Sequence, residues 1–296
     1  MGQLSIVVTC TDRKTLLPAS GLSARELPQG SLPERADTWR ARLRSFDGER
    51  RALRDLYKGE AWRRSLDVEK KATELNLAPT MYVASAGLGL RQVDEVAPGY
   101  AATFATGHAD SVAESAGGAR QWWSALSAGP AALALADLPR RPTLIVLSAA
   151  YAVPLADDLR ALASTNPDVL VVGAVQPMPG ARHVVANRAL RAELRGTAMS
   201  LNQRMAQAWL DRLDGRPLTA PELFPEWDRW VERVQQPEIW DRTPISDETA
   251  IQAIRSMIAT NDRLTWSPAL RQFRDSGYAC EQKRFKRLFA KASEER

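Results

Sequence analysis

The stretch from Thr143 to Val175, TLIVLSAAYAVPLADDLRALASTNPDVLVVGAV, sets the fold class. Thr143 to Leu147 and Asp168 to Val175 are short apolar runs rich in β-branched residues, the pattern of strands buried on both faces. Between them Leu155, Leu159 and Leu162 recur at helical spacing within Pro154 to Ala163, and a proline suits the first turn of a helix. Strand, helix and strand at these lengths make a βαβ unit. Such a crossover demands a parallel sheet with helices over its faces.

Outward from this unit, Leu4 to Lys14 opens with a β-branched run, Met81 to Ala86 forms another apolar run, and His183 to Ala186 reads as a further strand. Trp39 to Leu56 and Ala61 to Leu75 read as helices between the first two strands. Ala198 to Leu213 reads as a helix with Met199, Met205, Trp209 and Leu213 on one face. The expectation is an α/β domain over residues 1–214, built on a mostly parallel central sheet flanked by helices. Beyond Asp214, Gly215, Pro217, Pro221, Pro225, Pro237 and Pro244 punctuate a stretch that also holds Trp227, Trp230 and Trp240. Residues 215–245 therefore read as an irregular connector, its tryptophans serving packing rather than base stacking.

Residues 246–296 read as a small all-α domain. Ser246 with Thr249 suggests a capped helix carrying Ile251, Ile254 and Ile258. Ser267-Pro268 opens a second helix that runs through Phe273 and stops at Gly277. A third, Cys280 to Ala292, turns Phe285, Leu288 and Phe289 inward and Lys283, Arg284, Lys286, Arg287 and Lys291 outward. Two short helices joined by a glycine turn, the second strongly basic, resemble a helix-turn-helix, and each cation would release counterions from a duplex. Arg271 and Arg274 of the preceding helix join this set as candidate DNA contacts. The competing reading is a solvated amphipathic tail.

The chain has 296 residues, 45% hydrophobic and 25% charged, an ordinary globular composition with room for one large domain and a smaller one. A formal charge of +5 permits a polyanionic partner without requiring one. Asp12, Arg13 and Lys14 interrupt the first apolar run too early for a secretory signal, and nothing later approaches eighteen uninterrupted apolar residues. The two cysteines, Cys10 and Cys280, form neither a disulfide framework nor a metal-ligand spacing, and with His108 and His183 as the only histidines no zinc site is expected. The expected protein is cytoplasmic, monomeric and free of metal and cofactor.

Ligands of open α/β sheets sit beyond the carboxyl ends of the strands, which places Thr9, Cys10, Thr11, Asp12, Arg13 and Lys14 at a candidate site. Ser85-Ala86-Gly87-Leu88-Gly89-Leu90 ends the second strand in small residues that allow close backbone approach, but without the glycine spacing of a dinucleotide or phosphate loop. Asp12 or Asp94 would orient a water or act as general base. Tyr57, Tyr100 or Phe104 would stack on a flat ring, and His108 would donate to a developing anion. No nucleophile elbow accompanies these residues, so a Ser-His-Asp triad is not expected.

Taken together, Thr9 to Lys14, Arg54-Asp55-Leu56-Tyr57-Lys58-Gly59, Ser85 to Leu90 with Asp94, and Pro98-Gly99-Tyr100 resemble one family over about the first two thirds of the chain. It contains the lyase-like domain of archaeosine synthases and bacterial peroxide-stress and phage-defence relatives, proteins whose α/β fold resembles uracil-DNA glycosylase. The chain departs from the Cys-Ser-x-Lys-Lys-Pro-like stretch of the archaeosine group after Cys10-Thr11-Asp12-Arg13-Lys14. The resemblance implies chemistry on an extruded or modified nucleobase. Asp12 would then stabilise an oxocarbenium-like sugar and position water, with Asp94 and His108 as further catalytic candidates. Thr11, Tyr57, Ser85, Tyr100 and Asn187 would form the base pocket, and Lys14 would join the C-terminal cations on DNA. Cys10 is left as a small packing residue.

The leading expectation is a DNA glycosylase that flips out a modified base and hydrolyses its N-glycosidic bond, offsetting the few kcal/mol of base flipping with its basic helix. Defence against phages with modified DNA, including glucosylated hydroxymethylcytosine, is an extension from the relatives. A noncatalytic DNA-binding or regulatory protein on the same fold is the first alternative. A nucleosidase or base-modifying lyase, which would not need the C-terminal helices, is the second.

Overall fold

The computed structural model describes residues 2–128, 132–174, 180–236, 242–262 and 264–294. The chain divides into two compact units, Met1–Pro237 and Glu238–Arg296.

The first unit is built on six strands: β1 (Gly2–Thr9), β2 (Leu77–Ser85), β3 (Gly89–Gln92), β4 (Thr143–Leu147), β5 (Val169–Gly173) and β6 (Arg182–Val185). They lie in the order β3-β2-β1-β4-β5-β6. All neighbours are parallel except the β2–β3 hairpin, in which Ser85 faces Gly89 and Tyr82 faces Gln92. Every residue of β4 and β5 is buried, which is why their sequences run as unbroken apolar stretches instead of alternating. Helix Ala156–Thr165 joins them and buries Leu159 and Leu162, completing the expected βαβ unit. β5 ends earlier than its apolar run suggests: Gly173 and Ala174 take φ of 108° and 53°, which breaks the extended backbone, and Val175 lies outside the described residues.

The other strands show why the sequence pattern was partial. β2 begins four residues before Met81, but its first four residues are not buried, and one of them is Pro79. The proline is tolerated because β3 reaches only as far as Tyr82, so the strand is an edge at that point. Of the helices, α1 (Leu32–Ser45) starts well before Trp39: Ser31 and Glu34 form a reciprocal capping box, with Pro33 in the first turn. Downstream of α1, where helix was expected, Arg51–Ala52 pairs with Val96–Ala97 and Leu53–Leu56 makes a single helical turn. α2 (Glu60–Glu74) matches the reading, and α3 (Ala116–Ser127), capped by Ser115, was not foreseen. With the crossover helix as α4, the next are α5 (Leu201–Leu210) and α6 (Leu223–Val234). α2 and α5 pack together over the sheet, as do α1 and α3.

Two expectations fail here. Met199 precedes α5 and is 84% exposed, so only Met205, Trp209 and Leu213 of the predicted face are buried. The stretch from 215 is not irregular throughout, because α6 buries Trp227 and Trp230 against Trp209 in a chain of tilted rings 5.5 and 4.8 Å apart. Pro225 falls in the first turn of α6, where its missing N–H costs nothing. The tryptophans thus serve packing, as expected; Pro237 and Trp240 lie outside the described residues.

The second unit contains α7 (Asp247–Thr260), α8 (Trp266–Asp275) and α9 (Gln282–Glu294), with Thr243–Pro244 paired to Tyr278–Ala279. Ile254, Phe273, Phe285 and Leu288 form its own core. No helix among the described residues is long and apolar enough to cross a membrane.

Candidate functional site

The chain leaves β1 to form β2 on one side and later returns to form β4 on the other, so the sheet order reverses between β1 and β4. A doubly wound sheet opens a crevice beyond the carboxyl ends of its strands at such a switch point. Three segments end there: Cys10 to Lys14 after β1, Ser85 to Gly87 at the end of β2, and the helical turn Ala149–Ala152 after β4. The loop after β1 is fastened to the chain that carries Tyr57. Thr15 N–H donates to the Leu56 carbonyl (2.8 Å), Lys58 N–H to the Arg13 carbonyl (2.9 Å) and the Thr11 hydroxyl to the Lys58 carbonyl (3.2 Å).

Two chains of buried hydroxyls run through this region. Gly87 and Leu88 N–H both donate to Ser85 Oγ (3.1 Å each), which fills its lone pairs and directs its proton to the Tyr100 oxygen at 2.5 Å. Tyr100 in turn meets the Tyr57 hydroxyl at 2.6 Å. In the second chain Ala86 N–H donates to the Tyr151 oxygen (3.1 Å), and the Tyr151 hydroxyl meets Cys10 Sγ at 3.0 Å. Burial, reinforced by Cys10 and, for Tyr100, by Tyr57, pushes all three tyrosines well above their ordinary pKa, so they remain neutral hydroxyls. Gly87 is required by this packing, since a Cβ there would overlap the Tyr100 ring.

Lys14 completes the cluster. Its Nζ lies 4.2 Å from the Tyr100 ring centroid and 5.6 Å from that of Tyr57, and donates to the carbonyls of Asp12 (3.1 Å) and Thr11 (3.4 Å). Burial lowers its pKa, against the opposing pull of Cys10, Asp12 and Asp110. Asp110 is a buried carboxylate held by the guanidinium and backbone of Arg25, and those hydrogen bonds keep its pKa low. Asp12 itself is exposed at the mouth of the loop.

No known family model, curated protein or solved structure matches the chain. What the region can do must be read from its own residues. It offers an exposed carboxylate, a partly buried amine and a rigid wall of neutral hydroxyls around one thiol. Among the described residues no group of three His, Cys, Asp or Glu side chains is arranged to hold a metal ion.

Of the residues singled out in the sequence, Thr11, Asp12, Lys14, Tyr57, Ser85 and Tyr100 come together at the switch point. Others do not. Asp94 follows the antiparallel β3 and so lies back toward the amino ends of the parallel strands, where it pairs with Arg54 Nε (3.2 Å) beside Glu69. His108 is exposed and its Nδ1 accepts the Asp110 N–H (3.1 Å), capping its own turn. Asn187 lies beyond the edge strand β6 and spends its side-chain oxygen on the Ala189 N–H (3.0 Å). Tyr57 and Tyr100 are 2% and 1% exposed, with Trp62 and Trp39 against them, so neither presents an open face for stacking. Phe104 is likewise buried, edge-on to Tyr151.

Cys10 is hydrogen-bonded as well as packed, Tyr151 was missed, and Asp110, two residues after His108, was assigned no role. Tyr151 occupies the same place after β4 that Asp12 and Lys14 occupy after β1, a positional signal readable in the sequence. Nothing in the sequence distinguishes Asp110 from the exposed carboxylates.

In the second unit, Arg284 is a structural tie, bonded to Asp247 (2.7 Å) and to the Ile245 carbonyl (2.8 Å). Arg274 likewise holds the Cys280 carbonyl (2.8 Å), and Arg287 leans on Asp247 at 3.3 Å. Lys283, Lys286 and Arg271 are exposed, and Lys286 lies 5.6 Å from the Trp266 ring.

Proposed function

We propose that the protein is a DNA glycosylase that extrudes a base and hydrolyses its N-glycosidic bond. The observation that carries this reading is the presence, in one loop at the switch point, of the exposed Asp12 carboxylate and of the inward-folded Lys14 amine, which donates to the Asp12 backbone carbonyl. As the bond between C1′ and the base breaks, its electron pair leaves with the base and the sugar becomes oxocarbenium-like. Asp12 stabilises that cation and takes a proton from the water whose oxygen bonds to C1′. The proton goes on to the departing base, whose negative charge Lys14 offsets. The buried tyrosines hold the loop rigid instead of stacking on the base. Lys283, Lys286 and Arg271 supply duplex affinity through phosphate contacts, in a helix-turn-helix formed by α8 and α9.

The test is incubation of wild type and Asp12→Asn with a panel of genomic DNAs bearing different modified bases, followed by mass spectrometry of released bases. Wild type releases one base class; Asp12→Asn releases none while its DNA affinity stays within about twofold. Failure of wild type to release any base from the panel would overturn the enzymatic reading. The covered rings of Tyr57 and Tyr100 favour, as a second reading, a noncatalytic DNA-binding protein on this fold, which predicts that negative result together with retained affinity.

A further inference from the structure

A cavity of about 300 Å³ lies between α1, the Gly87–Leu88 turn and the Val96–Pro98 segment. Four guanidiniums line it, those of Arg40, Arg44, Arg50 and Arg91, against the single carboxylate of Glu95. Its remaining wall is apolar and includes Leu43 and Leu53. Arg40 and Arg44 are one helical turn apart on α1, a spacing at which like charges repel mildly, and Arg40 is paired with Asp37 on the same helix.

The arginines are oriented by the protein itself. Arg50 Nη2 donates to the carbonyls of Leu43 (2.9 Å) and Phe46 (2.8 Å), and its guanidinium lies 5.9 Å from the Phe46 ring. Arg91 Nε donates to the Leu88 carbonyl (3.2 Å). Arg40 engages Asp37 through Nη2, while its buried Nε has no hydrogen-bond partner. Arg40 and Arg91 already have carboxylate partners in Asp37 and Glu95 (3.3 Å for the second pair), so the unbalanced positive charge at the cavity comes from Arg44 and Arg50. Guanidiniums in fixed orientations are suited to phosphate oxygens, which they bind through charge-assisted, bidentate contacts. The volume stands at the lower end of the roughly 300–1,000 Å³ of small-molecule sites, and the leucines suit an apolar body attached to the anion.

We propose that this cavity binds a nucleotide, its phosphate on the arginines and its sugar and base against Leu43 and Leu53. The site is separate from Asp12, and the inference stands whether or not Asp12 assists bond cleavage. It also has a route to the hydroxyl cluster, because Gly87 and Leu88, which wall the cavity, cap Ser85 Oγ with their N–H groups. The phosphate comes either from a free nucleotide or from a nucleic-acid strand, two sources of one chemistry.

The test is calorimetric titration of the full chain with a 5′-deoxynucleoside monophosphate, with the corresponding nucleoside, and with a single-stranded oligonucleotide lacking terminal phosphates. The monophosphate binds at one site per chain, at least tenfold more tightly than the nucleoside. Arg44→Glu, at an exposed position that leaves the fold intact by thermal melting, weakens the monophosphate at least tenfold. Arg50→Ala does the same, and Lys286→Ala in the second unit does not. Displacement of the monophosphate by the oligonucleotide assigns the site to a strand; failure to displace assigns it to a free nucleotide. Absence of monophosphate binding, equal affinity for the nucleoside, or unchanged affinity in folded Arg44→Glu would each overturn the proposal.

Discussion

The Tyr57 and Tyr100 hydroxyls meet 2.6 Å apart in the interior, although the two residues arrive from separate loops forty-three positions apart. With Ser85 they join the Leu53–Leu56 turn, the Pro98–Tyr100 segment and the end of β2 in one hydrogen-bonded line. The loop that carries Asp12 and Lys14 is bonded to the same turn. Its conformation is therefore set by the contacts behind it, which is how a surface loop comes to hold two charged residues in fixed places.

Tyr100→Phe removes the middle of this line and leaves Ser85 and Tyr57 with one partner fewer each. The expected loss is about 1–3 kcal/mol, the cost of unpaired buried polar groups. Tyr57→Phe removes only its end and costs less. Urea denaturation of both variants checks the order; an equal loss from Tyr57→Phe would contradict the placing of Tyr57 at the end of the line.

Lys14→Met should raise stability and, in the glycosylase reading, end base release. Because burial lowers the Lys14 pKa, the unfolded chain binds more protons than the folded one between the folded value and the unfolded value of about 10.4. Wild-type stability therefore rises with pH across that interval, and the methionine variant lacks this rise. Melting temperatures measured from neutral to alkaline pH decide the point: a lower melting temperature for the variant at neutral pH would mean that the ring and carbonyl contacts outweigh the cost of burying the charge.

The sequence was informative where burial is two-sided. β4, α4 and β5 declare themselves because a strand covered on both faces has no polar residue to break its run. β3 was hidden in a turn of small residues, and α6 was masked by Pro225, which is harmless in a first turn. The same physics divides the site. Thr11, Asp12 and Lys14 follow a parallel strand, so their place at the carboxyl edge could be inferred. Asp94 follows an antiparallel one, and the direction of β3 was not legible from four residues. Lys14 was legible as a site residue but not as an inward one, since the contacts that turn it over Tyr100 come from residues more than forty positions away.

Asp110→Asn should destabilise the fold at neutral pH and match wild type in acid. Hydrogen bonds from Arg25 depress the Asp110 pKa below the unfolded value of about 3.9. The stability it contributes is present above that value and disappears as pH falls through the lower, folded one. The gap in melting temperature between wild type and Asp110→Asn should thus be constant above about pH 5 and close below pH 4. A gap that persists in acid would assign the effect to packing.

The basic helix α9 divides into cations that hold the second unit together and cations that face outward, and the two groups should fail differently. Lys283 and Lys286 are exposed, so in the DNA-binding reading each neutralises a phosphate. Removing either should reduce the slope of log K against log salt by about 0.9. Arg284 is instead spent on Asp247 and the Ile245 carbonyl, and Asp247 also anchors Arg287. Arg284→Ala should leave that slope nearly unchanged and lower the unfolding midpoint of the second unit, followed by hydrogen exchange in α7 and α9. Equal slopes for wild type and the Lys283→Ala/Lys286→Ala double variant would remove α9 from the DNA interface and leave it a solvated face.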